Sequence, residues 1–160
     1  MAAQIRFINP EGLNRPAAYT QVVEVMAPGR TIYVSGQLAM TSEGKLVSGD
    51  FVAQAEQVFE NLKVALAAAG AGFADVVKIG TYLADIGDLP ALREVRARHL
   101  NMAAPPASTT IAVSGFAVAG ALLEVEVVAV VASRGARPRA RRTGRVARPS
   151  KVRPVRRKGK

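Results

Sequence analysis

Two carboxylates lie close together in the last strand-forming run of the chain, residues 121–132. Because side chains of a strand alternate between its two faces, Glu124 and Glu126 share one face with Val128 and Val130. A carboxylate in a partly buried site can activate water. A strand face that mixes acids with valines is too apolar to be fully exposed to solvent and too polar to lie in a closed core. We therefore predict that this face is buried against another copy of the chain, with a polar pocket left between the copies.

Other groups that commonly perform chemistry are scarce. The chain has no cysteine and a single histidine, His99, which excludes a thiol nucleophile, a disulfide and a cysteine-based metal site. Ser108 is not expected to be an acyl-transfer nucleophile, because nothing around His99 indicates a catalytic triad. The run 70–72, Gly-Ala-Gly, is better explained as the end of a helix than as a phosphate-binding loop. We expect neither a metal nor a cofactor.

A long amphipathic helix is the element that must position these residues. Apolar residues recur at helical spacing between Asp50 and Gly70. Asp50 fits the N-cap, and Gly70 fits the left-handed residue that follows the last turn. Residues 75–83 are predicted to follow as a strand, so that the apolar side of the helix can pack on a sheet. The side chains assigned to the solvent side of the helix are Gln54, Gln57, Glu60, Asn61 and Lys63.

A second helix is predicted after Asp88, with Pro90 in its first turn and an end before residues 105–106. Further strands are expected at 4–8, 108–113 and 121–132. The runs 19–25 and 30–35 flank an Ala-Pro-Gly turn and indicate a hairpin. The fold class is α/β (α+β): a single domain with a mixed sheet and two helices on one of its faces.

Charge divides the chain of 160 residues into two parts. Residues 134–160 hold 13 of the 22 Lys and Arg and none of the 12 Asp and Glu, so residues 1–133 carry 9 − 12 = −3. We predict a folded domain over 1–133 and a disordered basic tail over 134–160, which has little to bury. The N-terminus lacks a signal-peptide run and no segment is long enough to span a bilayer, so a soluble cytoplasmic protein is expected.

Several runs occur in an order and at spacings that together resemble the RidA/YjgF family of reactive-intermediate deaminases. They are Ile32-Tyr-Val-Ser-Gly-Gln37, Asn61-Leu-Lys63 with Ala-Ala-Gly70, Asp75-Val-Val-Lys78 with Leu83-Ala-Asp85, Pro106-Ala107 and Glu124-Val-Glu126. The resemblance covers about residues 5–132. It implies a chorismate-mutase-like fold and a homotrimer with small-molecule pockets at the subunit interfaces.

The resemblance also implies an activity, the hydrolysis of enamines and imines such as 2-aminoacrylate to a 2-keto acid and ammonia. By position, Glu124 matches the glutamate that orients or deprotonates the attacking water. The family arginine that holds the substrate carboxylate is replaced here by Ser108, which offers neither a charge nor a two-pronged donor. The remaining positions implied to bind substrate are Tyr19, Ser35, Gly36 and Thr110.

Three of these residues have alternative interpretations. Glu124 either activates water or forms an interface salt bridge with Lys78 or an arginine. Ser108 either donates a hydrogen bond to a ligand or bonds its own backbone at the start of the strand. Arg93, near the family pocket by alignment, either supplies the missing cation for substrate binding or is a solvated helix arginine.

Three functions remain open at this point. The first is an enamine or imine deaminase that uses Glu124. The second is a non-deaminating trimer of the same family that binds a small metabolite. The third, which is compatible with either, is non-specific binding of nucleic acid or another polyanion through residues 134–160.

Overall fold

The computed structural model describes residues 4–13, 16, 18–26 and 29–132. These form six strands and two α-helices, with short 3₁₀ turns at Phe73–Asp75 and Ile86–Asp88. The elements are β1 (Gln4–Ile8), β2 (Val22–Met26), β3 (Gly29–Gln37), α1 (Phe51–Ala68), β4 (Val76–Leu83), α2 (Leu89–His99), β5 (Ala107–Ala112) and β6 (Leu123–Ala132).

Helix α1 begins and ends as its sequence predicts. The carboxylate of Asp50 accepts a hydrogen bond from the backbone N–H of Ala53 at 2.9 Å and so caps the first turn. Ala69 is the C-cap, and Gly70 follows it with φ +68°, a conformation that glycine adopts without a Cβ penalty.

Two of the side chains assigned to the solvent side of α1 instead hold loops in place. Gln54 is 3% exposed; its amide donates to the carbonyl of Gly120 at 3.0 Å and accepts from the N–H of Leu122 at 2.9 Å. Asn61 donates to two further loop carbonyls, those of Leu38 and Met40, each at 2.9 Å. A polar side chain can be buried at low cost when loop backbone groups satisfy it, which helical periodicity does not reveal.

Four strands form a mixed sheet in the order β3-β6-β4-β5. Only β4 and β5 are parallel, and parallel neighbours need a crossover, which α2 provides. This connection places α2 near β5, which is the strand at one edge of the sheet. Both helices lie on one face, as the sequence predicts.

The core fills the space between the helices and that face. Ile79 and Leu83 of β4 and Val125 of β6 are fully buried against Phe59 and Leu62 of α1. On the other face the side chain of Tyr33 is 80% exposed, and the register places Tyr33 opposite Val128. One face of the sheet is thus closed within the chain and the other is uncovered.

Strands β1 and β2 form a separate antiparallel pair. The predicted hairpin between the runs 19–25 and 30–35 is therefore wrong, since β2 pairs with β1 and β3 pairs with β6. The segment before β2 is fastened to β5: the hydroxyl of Thr20 donates to the carbonyl of Pro105 at 2.6 Å, and Thr20 bridges Ala107. Turn-forming residues show where a chain reverses direction, but they do not show which strands pair with each other.

Within the described part of the chain, no helix is both long and apolar enough to cross a bilayer. The basic tail predicted over 134–160 lies outside the described residues.

Candidate functional site

A cavity of about 370 Å³ lies between the N-terminal segment, helix α2 and the edge strand β5. We call it the arginine pocket. It brings together four of the residues that the sequence nominates for ligand binding, Tyr19, Arg93, Ser108 and Thr110, and its other lining residues are Ala18, Leu89, Arg96 and Thr109.

Arg96 is a charged residue of this pocket that the sequence interpretation did not select. Its side chain projects from α2 and the residue is 5% exposed. Its Nη1 donates to Ser108 Oγ at 3.0 Å and its Nη2 donates to the backbone carbonyl of Ala18. Burial, and secondarily the nearby charge of Arg93, lower the pKa of Arg96. A signal was present, because position 96 is four residues after Leu92 and therefore on the buried stripe.

Ser108 and Arg93 differ in the contacts that they make at the pocket. The Ser108 hydroxyl accepts a hydrogen bond from α2 and is not engaged with its own backbone. Arg93 is exposed at the pocket and forms no ion pair within the described residues. The arginine of α2 that reaches β5 is thus Arg96, one turn after Arg93.

A second, smaller cavity of about 220 Å³ lies on the uncovered face of the sheet. We call it the glutamate pocket; its lining residues are Tyr82, Val113, Gly115, Phe116, Glu124 and Glu126. The Tyr82 hydroxyl donates to Glu126 Oε1 at 3.1 Å, and this hydrogen bond raises the pKa of Tyr82. Within the chain, Lys78 donates to Thr109 Oγ1 at 2.7 Å and forms no salt bridge with Glu124.

Glu124 is half-buried and makes no hydrogen bond or ion pair with any residue that the structure describes. Its carboxylate lies against Gly36, where β3 departs from regular register between Val34 and Gln37. A Cβ built on Gly36 would stand 1.7 Å from Glu124 Oε1. The absence of a side chain at position 36 is therefore what allows the carboxylate to lie there. Ser35 lines a neighbouring depression on this face.

The sheet separates the two groups of nominated residues within one chain. Ser108 and Thr110 pair with Ile79 and Thr81, whose side chains face the helices. Glu124 pairs with Tyr82 on the opposite face. Tyr19, Arg93, Ser108 and Thr110 therefore gather at one pocket, whereas Ser35, Gly36 and Glu124 gather on the uncovered face.

His99 lies apart from both pockets. Its ring stacks on Phe59 with centroids 4.8 Å apart, and its Nε2 is 3.0 Å from Glu56 Oε2. Among the described residues, no group of three or more His, Asp or Glu could hold a metal ion.

Comparison with known proteins supports one family. The family model described as Endoribonuclease L-PSP matches residues 12–131. The chain belongs to the RidA/YjgF family. Its fold is the mixed α+β fold of that family, with two helices and a mixed sheet.

Three relatives illustrate the similarity. Protein DfrA of Myxococcus xanthus is 42% identical over 113 residues, which are 70% of this chain and 84% of that protein. The 2-iminobutanoate/2-iminopropanoate deaminase of Rattus norvegicus is 40% identical over 116 residues, which are 71% of this chain and 80% of that protein. A crystal structure of a Rid-family protein of unknown function from Yersinia pestis matches with TM-score 0.70 and 36% identity, covering 79% of this chain and 98% of that one.

Proposed function

We propose that this RidA-family protein hydrolyses small 2-imino acids and their enamine tautomers, such as 2-iminopropanoate, to a 2-keto acid and ammonia. The observation that carries the proposal is the arginine pocket. It gathers Tyr19, Ser108 and Thr110 around a cationic cavity large enough for a short organic acid. Relatives 32–40% identical to the chain are named 2-iminobutanoate/2-iminopropanoate deaminases.

The proposed site is completed by a second copy of the chain, in a homotrimer. The uncovered sheet face, with exposed Tyr33 beside Val128, is the surface that would pack against a neighbour. Glu124, Ser35 and Gly36 on that face would then approach the arginine pocket at the β5 edge of the adjacent subunit. No single chain can join the two groups, because its own sheet lies between them.

Hydrolysis needs one water molecule and no cofactor. The Glu124 carboxylate takes a proton from water as the oxygen attacks C2 of the imine, and the C=N π electrons move to nitrogen. The proton passes from Glu124 to the nitrogen of the tetrahedral adduct. Glu124 then takes the proton of the new C2 hydroxyl and passes it to the amino nitrogen, so that the C–N bond breaks, ammonia leaves and the C2 carbonyl of the keto acid forms. Hydroxyl donors of the pocket, from Tyr19 and Thr110, orient the substrate.

The test is the rate at which freshly generated 2-iminobutanoate disappears and ammonia forms, relative to spontaneous hydrolysis. Glu124→Gln should lower the protein-dependent rate by at least 100-fold, on the order expected for a general base. Glu60→Gln, an exposed α1 carboxylate, is the matched control and should keep the rate. Wild-type protein that binds 2-oxobutanoate but does not accelerate imine loss would favour the alternative, a non-deaminating metabolite-binding member of the family.

A second candidate function concerns residues 134–160 alone. Their 13 cations and lack of any acid favour binding of nucleic acid through its phosphates. Three such segments in one trimer would act together, which increases retention on a long polyanion. Full-length protein and a 1–133 truncation should differ in retention on double-stranded DNA at low salt, and the difference should vanish at high salt. Equal retention at every salt concentration would exclude this role.

A further inference from the structure

Arg96 is a buried cation with unused hydrogen-bonding capacity. It is 5% exposed, and its hydrogen bonds with the described residues go to two neutral acceptors, Ser108 Oγ and the carbonyl of Ala18. A guanidinium has five N–H donors in one plane. Three of the five therefore have no acceptor among the described residues.

No carboxylate side chain of the chain neutralises this charge. All 12 Asp and Glu lie within the described ranges, and none is in an ion pair with Arg96 or Arg93. Arg98, on the same helix, is in contrast paired with Glu56. Burying a cation without an anion is costly, and such groups are normally paired. The two unpaired arginines lie on one cavity, and an anion there would satisfy both.

We propose that the arginine pocket is an anion site in which the Arg96 guanidinium binds the carboxylate of a small organic acid and Arg93 adds charge at the mouth. The inference rests on the proposed function for the identity of that acid, a 2-imino or 2-keto acid. It assigns the carboxylate to a helix residue, and it makes Ser108 a support that orients the guanidinium rather than a ligand-binding group.

The proposed function, whose substrates are 2-imino acids, is the reason for proposing a carboxylate rather than a phosphate as the ligand. Arg96 is anchored on two sides by Ser108 and Ala18, so its remaining donors present a planar edge, which matches the two oxygens of a carboxylate. Inorganic phosphate offers the same charge chemistry and is therefore a necessary arm of the test.

The experiment is calorimetric titration of the full-length protein with 2-oxobutanoate, 2-oxobutanamide and inorganic phosphate. We expect 2-oxobutanoate to bind at least tenfold more tightly than the uncharged amide and than phosphate. Arg96→Gln should weaken 2-oxobutanoate binding at least tenfold, and Arg96→Lys, which keeps the charge but not the fork, should weaken it less. The matched control Arg98→Gln, two residues along α2, should bind like wild type.

Two further variants keep the proposal testable if Arg96→Gln does not fold. Arg93→Gln removes the exposed cation and should weaken binding by a few-fold while thermal unfolding is unchanged. Glu124→Gln should keep 2-oxobutanoate binding even though imine turnover is lost. Equal binding of keto acid and amide, tighter binding of phosphate, or full affinity in Arg96→Gln would each overturn the anion site. Arg96-dependent binding without turnover would leave the anion site standing and remove the proposed function.

Discussion

The Nη1 atom of Arg96 lies 3.0 Å from the hydroxyl oxygen of Ser108. A guanidinium from helix α2 therefore stands next to the strand position at which the family pattern has an arginine. This proximity results from the crossover from β4 through α2 to β5, because α2 in that connection lies next to the start of the edge strand β5. The serine and the helix arginine form one unit, and their effects on binding should not be additive.

Exchange of the two residues is the first prediction. Ser108→Arg alone should weaken 2-oxobutanoate binding at least tenfold, because the larger side chain would displace the Arg96 guanidinium that Ser108 Oγ now anchors. Adding Arg96→Gln to Ser108→Arg should recover part of the lost affinity, since the two long side chains no longer compete for the same space. The measurement is the dissociation constant of 2-oxobutanoate for the two single variants and the double variant. Tighter binding by Ser108→Arg alone would contradict the assignment.

Gly36→Ala is expected to remove imine turnover while the fold is kept. The added methyl would stand 1.7 Å from Glu124 Oε1, and the atom that must move is the end of a flexible side chain. The carboxylate would be displaced, with a rate loss of at least tenfold, but the backbone would not be strained. Turnover and thermal unfolding should be measured together. Gly12→Ala, where nothing lies within 4 Å of the new Cβ, is the control and should change neither.

Much of the fold follows from local sequence signals. Asp50 and Gly70 delimit α1, and alternation in residues 121–132 separates buried Val125 and Val127 from Glu124 on the other face. These signals involve neighbours in the chain, whose geometry is set by helix and strand periods. The pairing of strands is harder to predict from local sequence, because the pairing of β2 with β1 depends on contacts that local patterns do not contain.

The site could be predicted in part. Motif order nominated Tyr19, Ser108 and Thr110, which line one pocket, but alignment with the family pocket led to Arg93 rather than Arg96. An arginine on a buried stripe is ordinarily interpreted as exposed, because its charge is costly to bury. The choice between positions 93 and 96 depends on the distance from α2 to β5, which no local pattern contains.

Gln54→Ala should destabilise the protein by about 2 kcal/mol, because two part-buried hydrogen bonds are lost, one to the carbonyl of Gly120 and one from the N–H of Leu122. The measurement is the free energy of unfolding from urea denaturation. Val64→Ala, a 69% exposed position on the same helix, is the control and should change stability by less than about 0.5 kcal/mol. Equal effects of the two substitutions would show that the hydrogen bonds of Gln54 to the 120–122 loop do not stabilise the fold.

Acid should remove a small part of the stability through Glu56. Hydrogen bonds from His99 and then Arg98 hold the pKa of Glu56 below its ordinary value of 4.5. A lowered pKa in the folded state stabilises the fold above about pH 4.5, and this contribution disappears as the pH falls through the lowered value. Because the carboxylate is 39% exposed, the contribution should be at most about 1 kcal/mol.

The test of the acid effect is urea unfolding of wild type, Glu56→Gln and Glu60→Gln between about pH 3 and pH 7. Glu56→Gln should be less stable than wild type at neutral pH and should approach wild type at the acid end. Glu60→Gln, whose exposed partner is Lys63, should follow the wild-type curve. A constant difference between wild type and Glu56→Gln at every pH would contradict the linkage.

Thr81→Val should stabilise the protein by about 1 kcal/mol. Thr81 is 1% exposed, and its hydroxyl has no hydrogen-bond partner among the described residues. An unsatisfied buried hydroxyl costs about 1–3 kcal/mol, and valine replaces it with a methyl of similar shape. Thr109→Val is the control, because the exposed Thr109 hydroxyl accepts a hydrogen bond from Lys78 and its loss should not stabilise. A destabilised Thr81→Val protein would indicate that this hydroxyl has a partner in the assembled protein.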